Sequence, residues 1–153
     1  MANSDSVSQY YLDSFGNGRI GFSQQANLAT TGSGVITIPL LSGGLTVGAT
    51  AASSGSVILR RITVNNPQGS VSSANVSITT SSDGNISNAV VANVVLSNLT
   101  TSGKYQDLTI AGAYGANTAV TGVTTQALYV NINTASGNSN LVNICIYGDV
   151  VTF

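Results

Sequence analysis

The sequence predicts an all-β protein: an antiparallel β-sandwich preceded by an irregular N-terminal arm. Three observations carry this. Short runs of alternating apolar and polar residues, rich in Val, Ile and Thr, recur along the chain with Gly, Asn, Pro or Asp-Gly between them. No segment reads as a convincing helix: across Ile86–Leu99 one is possible, but the β-branched content and the asparagines disfavour it. The 153 residues suit one domain and bury enough surface for a core without staples. The expected division is an arm over 1–18 and a single sandwich domain over 19–153.

The arm, MANSDSVSQYYLDSF and the residues after it, is polar, with Tyr10, Tyr11, Leu12 and Phe15 as its large apolar groups. Such a segment is either a frayed terminus or an arm that anchors its aromatics on a neighbour. Gly34–Leu41 (GVITIPLL) is the first expected strand, with Val35, Thr37 and Pro39 on one face and Ile36, Ile38 and Leu40 on the other. Its proline places it at an edge or a strand end. Ser42–Thr50 is glycine-rich and carries Leu45 and Val47.

Val57–Asn65 (VILRRITVN) is the strongest β segment of the first half, and Asn66–Pro67 ends it. Ala74–Thr80 alternates Val76 and Ile78 with Asn75, Ser77 and Thr79. Ser81–Asn85 contains Asp-Gly, the strongest short hairpin signal. Ile86–Leu99 follows as a strand with Val90, Ala92, Val94 and Leu96 inward. Lys104–Ile110 is a short strand, and Ala111–Thr125 a Gly/Ala/Thr loop. A final hairpin closes the chain. Leu128, Val130 and Ile132, then Val142, Ile144 and Ile146, face the core; Tyr129, Asn131 and Asn133, then Asn143, Cys145 and Tyr147, face outward. About eight strands in a sandwich favour a jelly roll over an immunoglobulin-like arrangement.

Composition narrows the function. Lys and Arg total 4, the 5 acids are all Asp, and the net charge is −1. Charged residues make up 6% of the chain, against about 25% in ordinary soluble domains. Nucleic-acid binding needs clustered cations and is disfavoured, as is an anionic membrane surface. No apolar run approaches the roughly 20 residues of a membrane-spanning helix. The first residues show neither the basic nor the apolar region of a signal peptide. So little charge promotes association, so part of the surface is expected to be covered in an assembly.

The motifs speak against catalysis. His and Glu are absent, which removes histidine-based nucleophile systems and imidazole metal ligands. Gly16–Gly21, GNGRIG, satisfies G-x-G-x-x-G literally, but no helix is expected after it and the next acid after Asp13 is Asp83. Neither a cofactor nor a metal is expected. Asp107 and Asp149 read as strand-end residues and Asp83 as a turn former. Cys145 reads as a small packing group. Asn75-Val-Ser, Asn85-Ile-Ser and Asn98-Leu-Thr match the glycosylation pattern by composition alone.

The candidate interface residues are Tyr10, Tyr11, Phe15, Arg60, Arg61, Tyr129 and Tyr147. Tyrosine offers large contact area with a polar tip, which suits protein interfaces and also sugar stacking. Adjacent Arg60 and Arg61 must point to opposite faces of a regular strand. Arg60 falls in phase with Ile58, Ile62 and Val64, at the sandwich rim and paired with an Asp or loop carbonyls. A bulge turning both arginines outward is the alternative.

VILRRITVNN, ANVSITTSSDGN and QALYVNINTASGNSNLVNICIYGDVV together resemble the layout of small β-sandwich virion proteins of tailed bacteriophages, the capsid decoration or cement proteins, over roughly residues 57–153. The resemblance lies in strand layout and composition. It implies a jelly-roll-like domain on the outer surface of a virion, with the major capsid protein as partner. It also implies a homo-oligomer, a trimer over a dimer. A carbohydrate-binding or host-adhesion module of a fibre or tail is the alternative.

Overall fold

A computed structural model describes residues 16, 18–40, 55–114 and 127–152. Eight strands form: β1 (Gly18–Asn27), β2 (Gly32–Pro39), β3 (Gly55–Asn65), β4 (Asn75–Thr79), β5 (Ala89–Val95), β6 (Tyr105–Leu108), β7 (Ala127–Thr134) and β8 (Leu141–Thr152). Single 3₁₀ turns occupy Ile86–Asn88 and Gly112–Tyr114. The strands make two four-stranded antiparallel sheets, in the orders β1-β8-β3-β6 and β2-β7-β4-β5. The protein is an all-β sandwich.

The core lies between the sheets, where alternation along each strand delivers its apolar residues. Ile38 on β2, Leu59, Ile62 and Val64 on β3, Ile78 on β4, Leu128, Val130 and Ile132 on β7, and Val142, Ile144 and Ile146 on β8 are all buried. Ile36, Ile38 and Leu40 take the inward positions expected of them, with Pro39 ending an edge strand.

Several expectations change. A strand not anticipated from the sequence, β1, runs through the segment that holds the second and third glycines of GNGRIG, and pairs with β8. Its core contribution is sparse, Ile20 and Ala26, and two register shifts break its alternation, so it carries little periodic signal. The final hairpin is not a hairpin. β7 and β8 belong to different sheets, and Ala135–Asn140 crosses between them. Ser136 donates its N–H to the Leu28 carbonyl, and Ser73 Oγ donates to the Ser136 carbonyl. The crossing is thereby tied to neighbouring loops.

The strand expected over Ile86–Leu99 shortens to Ala89–Val95, because Asn85 caps a 3₁₀ turn ahead of it by accepting from the Ser87 N–H. Ala92 is exposed rather than inward, and Val91 is buried, since the β4–β5 register shifts on either side of Ile78. On β3, the register against β8 shifts between Leu59 and Arg61. Val57 and Leu59 face the core before the shift and Ile62 and Val64 after it, so Arg60 is not in phase with Ile62. Ile58, Arg60 and Arg61 all lie on the outer side. Opposite this bulge, a methyl at Gly148 would overlap the Ile58 carbonyl oxygen, which explains a glycine inside β8. The glycine-rich Ser42–Thr50 segment and most of the Ala111–Thr125 loop lie outside the described residues.

All four edge strands are broken or short. β1 shifts register twice and passes through Gln25 at φ 54°. β2 shifts between Gly32 and Ile36, β5 shifts twice against β4, and β6 has 4 residues.

Candidate functional site

The strand sequences sort by charge. Every strand of the β1-β8-β3-β6 sheet carries an ionic residue: Arg19 on β1, Asp149 on β8, Arg60 and Arg61 on β3, Asp107 on β6. No strand of the β2-β7-β4-β5 sheet carries one. Among the described residues the remaining charges, Asp83 and Lys104, sit in connections.

On the charged sheet, residues of one row stand side by side across strands. Arg19, Tyr147 and Arg61 form one row, and Phe22, Cys145, Thr63 and Asp107 the next. The Arg19 guanidinium lies 4.0 Å from the Phe22 ring centroid. Arg61 holds Asp107 in a forked pair, Nε to Oδ1 at 2.8 Å and Nη2 to Oδ2 at 3.2 Å. Arg60 Nε donates to Asp149 Oδ2 at 2.8 Å. These pairs join β3 to β6 and to β8. Both carboxylates are half-exposed, so each pair contributes about 1 kcal/mol or less. Cys145 is buried and accepts from Asn65 Nδ2. Burial and then the adjacent Cys145 push the Tyr147 phenol above its usual range, while Arg19 and Arg61 pull the other way.

The uncharged sheet carries an amide and hydroxyl lattice. Asn131 is 2% exposed although it points away from the core. Its Oδ1 accepts from the Gly34 N–H at 2.7 Å, and its Nδ2 donates to Ser77 Oγ and Thr79 Oγ1. The cover comes from the β2 bulge and the Ser81–Gly84 turn. Gly34 lies so close under that turn, at φ +59°, that an added methyl would stand 2.7 Å from the Ser82 carbonyl oxygen. Further along, the Asn133 Nδ2 has Asn93 Oδ1 at 3.0 Å, Ser77 Oγ at 3.3 Å and Asn75 Oδ1 at 3.4 Å as acceptors. Asn133 and Asn93 themselves remain exposed, and Tyr129 is half-buried on the same sheet. Among the described residues, Val35, Val95 and Ile86, three of the four exposed large hydrophobics, belong to this sheet and its β4–β5 connection.

The candidate residues therefore separate. Arg60, Arg61 and Tyr147 share one sheet, and Tyr129 lies on the other, so one flat partner cannot cover all four. Tyr10, Tyr11 and Phe15 lie outside the described residues. Sequence reasoning missed Asn131, Asn133, Asn93 and Asn75 as a connected set; alternation placed Asn131 and Asn133 on an outer face, but only sheet order brings Asn93 and Asn75 beside them. No family model, curated protein or solved structure matches the chain. Among the described residues no group of three acids or thiols is placed to hold a metal ion.

Proposed function

We propose that the protein is a non-catalytic structural component of a phage virion that docks on the outer surface of the capsid and stabilises it. The observation that carries this reading is the segregation of charge between the two sheets. The β2-β7-β4-β5 face, with Tyr129, its asparagines, Val35 and Val95, is the docking surface onto the major capsid protein. Removing water from amides and hydroxyls costs less than removing it from ions, and those groups still hydrogen-bond to a neighbour. The Arg–Asp face is left to water, where its pairs need no desolvation. Binding only the assembled shell shifts the balance towards assembly, and linked copies add avidity. Self-association as a trimer belongs to the same proposal, as the arrangement of the proteins the chain resembles.

The connectivity supports a jelly-roll reading of the sandwich. Strands pair β1·β8, β2·β7, β3·β6 and β4·β5, as in one long hairpin rolled across two sheets. Jelly rolls recur in viral capsid proteins and in lectins, an analogy of fold and not of site. The test uses capsid shells lacking the protein and measures bound copies and shell melting temperature. The wild-type chain is expected to bind and raise the melting temperature. Tyr129→Ser is expected to lose about tenfold or more in affinity and Tyr147→Ser to bind nearly as the wild type. The opposite ranking would move docking to the charged sheet, and no binding by the wild type would end the proposal.

A further inference from the structure

We infer that the groove beside β6 binds a pyranose sugar. The groove is open to solvent and is lined by the β5–β6 connection and the edge strand, with Asn98, Thr100, Lys104, Tyr105, Gln106 and Asp107 on its walls. β6 alternates: Gln106 and Leu108 are buried, while Tyr105 and Asp107 point outward together. Tyr105 is 60% exposed, the most exposed of the large apolar side chains described. A lone exposed ring is unremarkable on a protein surface. Here it stands in a groove whose other walls are mainly polar, with the Gln106 and Asp107 side chains held in place.

Two sets of contacts do the holding. Gln106 spans the back of the groove: its Oε1 accepts from the Asn98 N–H at 3.0 Å and its Nε2 donates to the Val95 carbonyl at 2.8 Å. Arg61 fixes Asp107 through both carboxylate oxygens. Each of those oxygens keeps acceptor capacity for an incoming hydroxyl. At Gln106 and Asp107 little ordering is left for a ligand to impose, which favours binding by a small molecule.

The lining selects the class. Lys104 is the one cation on the groove wall among the described residues, too little positive charge to hold a phosphate ester or nucleic acid. Among the described residues Tyr105 is the one large apolar wall, too little for a lipid or a drug-like apolar ligand. A peptide adding to β6 would meet a strand of 4 residues. What fits is a compact molecule with a C–H face for the Tyr105 ring and several hydroxyls for Asp107, Lys104, Asn98 and Thr100. The groove lies at the margin of the sandwich, where Tyr105 and Asp107 on β6 meet the β5–β6 connection. The inference does not rest on docking.

The test is a titration of the ¹⁵N-labelled full chain with the methyl glycosides of galactose, glucose, mannose and N-acetylglucosamine. For a ligand of this size the dissociation constant is expected on the order of 1 mM. At least one sugar should give saturable amide shifts confined to 97–107. Tyr105→Ala should weaken that binding about tenfold or more. Tyr105→Thr, which keeps a strand-forming residue, should do the same, and Tyr129→Ala should leave binding unchanged. Absence of saturable shifts with all four sugars, or binding indifferent to both Tyr105 variants, would overturn the assignment.

Discussion

Asn131 replaces water with protein on a face that ought to be wet. Three partners from two strands, Gly34 on β2 and Ser77 and Thr79 on β4, converge on one amide that is 2% exposed. Its loss takes the acceptor from the Gly34 N–H beneath the Ser81–Gly84 turn and one donor each from Ser77 Oγ and Thr79 Oγ1, which keep Asn133 Nδ2 and the Ser81 carbonyl as partners. Leaving such a group unsatisfied costs about 1–3 kcal/mol, so Asn131→Ala should lower the unfolding free energy by that amount, read as a lower urea midpoint at an unchanged m-value. Asn131→Asp keeps the acceptor for Gly34, but its carboxylate cannot donate to Ser77 and Thr79 and is buried as a charge. It should be the worse of the two at neutral pH. A smaller loss in Asn131→Asp than in Asn131→Ala would show that the two donated bonds contribute little.

β3 shows how one extra residue decides what a strand presents. With Arg60 in place, Val57 and Leu59 face the core on one side of the bulge and Ile62 and Val64 on the other. Deleting Arg60 joins Leu59 to Arg61, so Val57, Leu59, Ile62 and Val64 all keep the core side in regular alternation and the pairing with β8 closes without a shift. No core side chain is displaced, so the deletion variant should keep a cooperative thermal transition, and loss of that transition would show that the bulge itself is required. Arg60→Ala keeps the residue count, loses the half-exposed pair with Asp149, and should melt near the wild type. This bulge marks a limit of what the sequence disclosed. VILRRITVN announced a strand, but strict alternation assigns Arg60 to the inside, and bulges leave no fixed mark in composition. The same holds for β5, where Ala92 and Val91 exchange expected places, and for β1, whose two shifts hide a strand of 10 residues. β2, β4, β6 and the core faces of β7 and β8 were legible because each has regular alternation where it meets the core. The pairing of β7 and β8 was not, since a six-residue link serves a hairpin or a crossing between sheets equally well. The aromatic candidates were legible as residues, but their division between two faces required strand order.

At the scale of the whole molecule the sandwich has two unlike exteriors. One is ionic and aromatic, the other an amide lattice flanked by Val35, Val95 and Ile86. If attachment uses the neutral side, screening has little to act on. Occupancy on shells should therefore change less than about threefold between 50 and 500 mM salt, where a contact built on several exposed ion pairs would weaken far more. Measuring bound copies across that range decides between the two faces without any mutation; a steep loss of occupancy would point to Arg60, Arg61 and their aspartates.

A protein with a formal charge of −1 has almost no electrostatic repulsion to keep free copies apart. The interrupted margins of the sheets supply a different safeguard. A neighbour approaching β1, β2 or β5 meets an out-of-step row of N–H and C=O groups, and at β6 the row ends after 4 residues. Copies crowded together therefore have no long template along which to fuse into continuous β-structure, and geometry guards solubility where charge does not.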